Sequence, residues 1–398
     1  MSSTRPHAQD ATAETLATAP FVRVVAASDG DSLAAAGILA GACETRATPF
    51  QLRVGRDADT EDAVTVAVGP VGVDSDVTLP TPASPAAYEI ATALDADPDP
   101  VLALAGTIAA GETVESATEA LEAAEDSLQR RPGVAIPTEE YPAGLAASTL
   151  LYAPFSGNES AAEELIAELR AEEDPDAFDR RLASLVALDT VTAEGATGRA
   201  AEQVERALRP YATPDGPFAT LGGYADVLEA VARTAPGTGI RLVLGRGGSE
   251  EALDAWQTHG ETVHRLLREA DTARHHGLTV LSVPGADPAA LPAVARLYRD
   301  FRSPEPLVLA VTDGAAAVAG EDAANRAGAA GKDAANRTGA AGEDAANRTG
   351  AAGEDDVGQA ITAATAAVGG TAQGTATTGT ARFDTERTEF TDAFREAL

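Results

Sequence analysis

Lysine is almost absent from this chain. Of its 29 basic residues, all but Lys332 are arginine. Cysteine is limited to Cys43, which excludes a disulfide within the chain and any metal site built from cysteines. Aromatic residues make up 4% and tryptophan occurs once, so few side chains can stack on a base. No apolar run approaches the ~18 residues of a membrane span. Residues 1–20 lack the apolar core of a secretion signal. These absences predict a cytoplasmic protein that meets no membrane.

Acid is what the chain has in excess. Asp and Glu number 62 and the net charge is −33. Such a charge repels itself. Molar salt, with a screening length of about 3 Å, removes most of that penalty. In ordinary buffer the charge argues against a nucleic-acid partner; in molar salt it reflects the solvent and says little about the ligand. Binding would then rest on local arginines, on stacking and on metal. With 44% apolar residues in 398, the chain is long enough for two domains with sizeable cores.

The most informative stretch lies near the start. An apolar run, 21–27, breaks into Ser28-Asp29-Gly30-Asp31-Ser32, and a small-residue helical pattern follows. This reads as strand, acidic loop and helix. In an open α/β sheet such a loop lies at the carboxyl end of a strand, where ligands bind. Asp29 and Asp31, on a loop that Gly30 allows to bend, have the spacing to converge on a hard divalent ion. The other reading of the same residues is local: Asp31 or Ser32 caps the helix and Asp29 is a turn residue.

The stretch resembles the first motif of the DHH phosphoesterase superfamily, His-x-Asp-x-Asp-Gly/Ser-x-x-Ala-Ala. Asp29 and Asp31 fall on its aspartates, Ser32, Ala35 and Ala36 fit, and Ala27 stands in the histidine's place. The strand 64–68 ends without the second motif's aspartate. The family's Asp-His-His, which should precede the helix near 82–91, is missing. Leu104-Ala-Gly-Thr-Ile-Ala-Ala-Gly111 fits the fourth motif with Ala110 in the aspartate's place. Gly222-Gly-Tyr-Ala-Asp-Val-Leu-Glu-Ala-Val-Ala-Arg233 resembles the helix that opens the family's substrate domain. The loop with Gly369, Gly370, Gly374 and Gly379 resembles that domain's Gly-Gly-x-Gly-Gly-His signature without its histidine. The likeness covers most of 21–398 and is strongest to the archaeal RecJ-like branch; the acid-rich, lysine-poor composition resembles that of haloarchaeal proteins.

The resemblance implies an α/β fold: an N-terminal Rossmann-like domain with a parallel sheet and a smaller C-terminal α/β domain. It implies Mn²⁺ or Mg²⁺ held weakly at Asp29 and Asp31. It implies single-stranded nucleic acid as partner, through the glycine loop and Arg246 and Arg382, or replisome proteins such as GINS. A two-metal phosphodiesterase needs several carboxylates and imidazoles around paired ions. With most of those positions vacant, the expected activity is little or none, and the expected role is nucleic-acid binding or service as a replication and repair accessory subunit. The alternative is an active metal-dependent exonuclease on single-stranded DNA or short RNA.

The expected division is a disordered tail over 1–20, a DHH-like domain with helical linker over 21–205, and a DHH-associated domain over 206–398. Strands are expected over 22–27, 51–54, 64–68, 77–79, 240–245, 278–283, 307–311 and 380–383, and a long helix over 249–274. An 11-residue unit beginning at Gly320 recurs at 331 and 342, and Gly353-Glu-Asp355 begins a fourth copy. Alanine is too small to give a solenoid a core, so 320–355 reads as a tandem expansion in a surface loop. Leu244-Gly-Arg-Gly-Gly-Ser249 is either a phosphate cradle or a plain turn. Arg265 and Arg268 are further candidate phosphate contacts, and Arg130, Arg131, Arg180 and Arg181 read as solvated or paired with acids. His7, His259, His264, His275 and His276 read as surface residues and Trp256 as core.

Overall fold

A computed structural model describes residues 5–55, 63–167, 169, 174–321 and 357–398. The chain divides into two units, Met1–His264 and Arg265–Leu398. The boundary therefore falls some sixty residues beyond the one expected from sequence, inside a helix. The reason is packing. The segment read as opening the second domain carries Leu221, Tyr224, Val227, Leu228 and Val231, all buried in the first unit's core.

The first unit begins with α1 (Arg5–Thr18), which replaces the expected disordered tail. Its Ala13 and Leu16 are buried in the main core, which is what orders it. Strands β1 (Val22–Ala26), β2 (Phe50–Val54), β3 (Val64–Val68) and β4 (Val77–Leu79) form a parallel sheet of order β2-β1-β3-β4. The central strand β1 is buried along its whole length, as parallel strands covered on both faces are. Helix α2 (Gly30–Thr45) packs on this sheet, and α3 (Ser84–Ala93) and α4 (Pro100–Ala109) pack against α2 and each other. Small residues set their spacing: a Cβ on Gly106 would lie 2.0 Å from Ser84 Oγ and 2.7 Å from Ala34 Cβ. After α4 the chain forms the short helix α5 (Thr118–Ala123) and then β5 (Gln129–Arg130).

Helices α6 (Tyr141–Ala147), α7 (Glu159–Ala167), α8 (Pro175–Thr192) and α9 (Gly198–Ala207) contribute to a second cluster around Phe155, Leu145 and Leu182. After β6 (Tyr211–Ala212) come α10 (Leu221–Thr234), α11 (Pro236–Val243) and α12 (Ser249–Glu269). The expected strand over 240–245 is thus the end of a helix. Pro236 at its first turn starts the helix, and the run Ile240-Arg-Leu-Val243 is too short to give a period of its own.

The second unit is a six-stranded mixed sheet of order β11-β12-β10-β9-β8-β7. Its strands are β7 (Asp271–His275), β8 (Leu278–Ser282), β9 (Leu307–Thr312), β10 (Ala315–Gly320), β11 (Gly370–Gly374) and β12 (Thr378–Phe383), with α13 (Leu291–Phe301) between β8 and β9. The expected helix over 249–274 ends five residues early, and its tail pairs antiparallel with β8. Strand β10, nearly all alanine, is buried at every position between β9 and β12. Pairing on both sides, not side-chain propensity, makes it a strand.

The expected repeat lies outside the described residues apart from Gly320 and Glu321, but its stems are clear. Gly320 N donates to Thr377 O at 2.8 Å and Val357 N to Ala376 O at 3.2 Å. Both ends of the insertion are therefore fastened to one turn between β11 and β12. Among the described residues no helix is long and apolar enough to cross a membrane.

Candidate functional site

The acidic loop sits where the sequence placed it, between β1 and α2, at the carboxyl end of the parallel sheet. Asp29 is the N-cap of α2: its Oδ1 accepts from Ser32 N at 2.8 Å. Asp31 is buried and turns away from its own helix. Its Oδ2 accepts from Ala83 N at 2.7 Å and its Oδ1 from Ser84 N at 2.8 Å, while Ser84 Oγ donates to Asp31 O at 3.0 Å. The N-cap residue of α3 is Ala83, which has no side chain to cap with. Asp31 does that work from another helix, satisfying two N–H groups that would otherwise be orphaned.

Two residues to which the sequence reading gave no role complete this corner. Glu229, on α10, accepts through Oε2 from Gly30 N at 2.7 Å. Arg233, one turn on, donates from Nε to Glu229 Oε1 at 2.9 Å, and its Nη2 pairs with the same oxygen. Their side chains are 19% and 15% exposed, so this pair is largely shielded from water. A signal was there: an acid and an arginine four apart on one helix.

The electrostatics follow from crowding. Burial raises the Asp29 carboxyl above the usual carboxylate range, and nearby Glu229 adds to the rise; Ser32 and the Arg233 guanidinium pull the other way. Asp31 is pushed up to about 7 by burial and then by Asp29, against the hydrogen bonds from Ala83 and Ser84.

These residues do not fit a two-ion centre. Both Asp31 oxygens are aimed at backbone N–H groups. Ala27, in the motif histidine's place, is buried in a small apolar cluster with Val25, Ala67 and Val71. Ala110 ends α4 without a polar atom to offer. Among the described residues, no group of three or more His, Cys, Asp or Glu is placed to hold a metal. The weak ion expected at Asp29 and Asp31 would have Asp29 alone to hold it. Ser32 Oγ is buried without a hydrogen-bond partner, beside Gly69 and Ala27.

The other expected site residues do not converge. Arg246 is paired with Glu44 on the surface. Its loop joins two helices, not a strand to a helix, and so reads as the plain turn. In the second unit, Arg382 is exposed on β12 and Arg265 pairs with Glu269 at 2.9 Å. The glycine loop is a β11–β12 hairpin. A Cβ on Gly370 would lie 2.1 Å from Arg382 O, one on Gly374 2.7 Å from Gly358 Cα, and one on Gly379 2.6 Å from Ile361 Cγ2. Close packing therefore accounts for three of these glycines; Gly369, with φ +79°, faces open space.

A second buried polar cluster lies elsewhere in the first unit and corrects the placement of two histidines. Asp226, on α10, accepts from Ser148 Oγ at 3.2 Å, Thr149 N at 3.0 Å and Trp256 Nε1 at 2.9 Å, and also from Thr149 Oγ1. His264, fully buried, donates from Nε2 to Ser148 O at 2.9 Å and stacks on Tyr152. His259 is buried as well. Both had read as surface residues because no helical spacing linked them to a partner. Trp256 is core, as expected. Gly260 lets α12 come this close: a Cβ there would lie 1.9 Å from Ala147 O.

Comparison with known proteins agrees with the fold. The C-terminal domain family described as "Uncharacterized protein rrnAC1427, C-terminal domain" matches residues 270–353. The uncharacterized protein rrnAC1427 of Haloarcula marismortui is 43% identical over 97% of this chain and 95% of its own length. Among solved structures, CDC45 from Entamoeba histolytica is similar with a TM-score of 0.52 and 9% identity, over 98% of each chain. RecJ from Thermus thermophilus in complex with Mn²⁺ is similar with a TM-score of 0.51 and 13% identity over 98% of this chain. The chain spans only 54% of that RecJ chain. The fold resembles that of RecJ and CDC45, with a parallel-sheet N-terminal part and a separate C-terminal sheet domain.

Proposed function

The chain belongs to the family of the uncharacterized protein rrnAC1427, and from that premise we propose that it is a RecJ-like protein without nuclease activity, a nucleic-acid-binding or accessory subunit in replication and repair. One observation carries this reading. Asp31, one of the two aspartates expected to hold metal, spends both oxygens on the N-terminus of α3. Losing one metal of a pair abolishes the clamp on attacking and leaving oxygens that phosphodiester cleavage needs. Likeness to CDC45 over 98% of both chains supports an accessory role beside replisome proteins such as GINS. Exposed Arg382 and the open Gly369 are the contacts proposed for a single strand.

The second reading is an active Mn²⁺- or Mg²⁺-dependent exonuclease. In its favour is the similarity to a Mn²⁺-bound RecJ and the place of Asp29 at a strand's carboxyl end. The experiment is digestion of end-labelled single-stranded DNA and short RNA in molar KCl with Mn²⁺, with Asp29→Ala/Asp31→Ala as control. We expect no cleavage, and retention of single-stranded DNA that weakens in Arg382→Ala. Robust cleavage lost in the double variant would replace this reading with the nuclease.

A further inference from the structure

The start of α2 gathers three carboxylates and one guanidinium. Asp31 is buried, and Glu229 reaches the residue between Asp29 and Asp31, accepting from Gly30 N at 2.7 Å. Like charges in a shielded space disfavour one another's ionised forms. The positive charge at this corner belongs to Arg233, paired with Glu229.

The geometry around that arginine is built. Arg233 grips Glu229 through Nε and Nη2, and Glu229 in turn holds Gly30 N at 2.7 Å. The backbone of α10 is pressed onto the loop: a Cβ on Gly30 would lie 2.9 Å from Glu229 N and 2.8 Å from Ala109 Cβ. Only a glycine at that position admits α10 so close. A guanidinium stays charged at any ordinary pH and sheds its water more readily than an ammonium, which suits it to a shielded pair.

We propose that Arg233 is a built-in counter-ion that takes the electrostatic place of the divalent ions: it neutralises the Asp29–Glu229 corner and fastens α10 over the acidic loop, so that the chain takes up no Mn²⁺ there. This rests on the reading of the site as non-catalytic. It goes further, because an inactive site can be merely empty, whereas this one is filled from within and depends on its filling for stability.

The test uses the full chain in molar KCl, with melting curves and bound Mn²⁺ read by electron paramagnetic resonance. The wild type should leave millimolar Mn²⁺ free. Arg233→Met should lower the melting temperature by roughly 5 °C or more, and added Mn²⁺ should recover part of that loss. Glu229→Gln/Arg233→Met, which removes both charges together, should recover most of it. Stoichiometric Mn²⁺ on the wild type, lost in Asp29→Asn, would overturn the proposal, and so would an Arg233→Met variant that melts like the wild type. If neither variant folds, the wild-type Mn²⁺ measurement decides alone: free ion supports the counter-ion, bound ion overturns it. Cleavage by the wild type sinks the functional reading whatever Arg233 does. An inactive wild type with an indifferent Arg233 sinks the counter-ion alone.

Discussion

The first unit buries acid in two places and does so by opposite means. At Asp226 a single carboxylate is met by neutral donors from Ser148, Thr149 and Trp256. At the start of α2, Asp29, Asp31 and Glu229 crowd together; N–H groups satisfy Asp31, and Arg233 offsets the rest. The first arrangement satisfies one carboxylate with hydroxyl, amide and indole donors. The second carries internal repulsion that the fold must offset.

The contrast is sharpest in deletions. Asp226→Ala should cost roughly 3–5 kcal/mol, because several buried donors lose their acceptor and nothing is relieved in exchange. Chemical denaturation in molar KCl measures it. A loss under 1 kcal/mol, on the order of a surface change, would mean water replaces the carboxylate there. Asp31→Ala should cost less, about 2 kcal/mol at mildly acid pH. It strands Ala83 N and Ser84 N but removes a crowded acid. If Asp31→Ala proves the more damaging of the two, the distinction between the sites fails.

The smallest effect concerns pH. Asp31 titrates near 7 in the fold against 3.8 when free. An acid whose folded value is raised favours the native state while it is protonated. That contribution is complete below about pH 4 and is lost as pH rises toward 7. The stability gap between wild type and Asp31→Ala should therefore narrow steadily from pH 5 to pH 8. In an Asp29→Asn background the narrowing should shrink, since the neighbouring charge is gone. A gap that widens with pH would show that the hydrogen bonds from Ala83 and Ser84 outweigh burial.

Much of the first unit was legible in the sequence because its signals are local. The strands 22–27, 51–54 and 64–68 are apolar, β-branched runs, and they appear within a residue or so of the expected bounds. The loop at Asp29 was located by the break between two periodicities. What was not legible is what depends on distant partners. Asp31 finds its donors on another helix, and Glu229 reaches back across 199 residues to Gly30. No spacing rule connects such positions. Strand β10 was missed because its alanines carry no strand preference, and helix α11 was missed because three apolar residues around one arginine fit either period. His259 and His264 were put on the surface because, five apart, they share no helical face.

The two stems of the repeat, fastened to neighbouring carbonyls of one turn, have a consequence for how this gene can change. For a chain joining two fixed points, doubling its length costs only about 0.6 kcal/mol in closure entropy. With both stems held by the same turn, gain or loss of whole 11-residue units is expected to leave the six-stranded sheet as it is. Copy number at this locus is thus nearly invisible to selection for folding. Slippage during DNA copying is free to lengthen or shorten the tract, and related chains should differ here in length before they differ in the strands on either side.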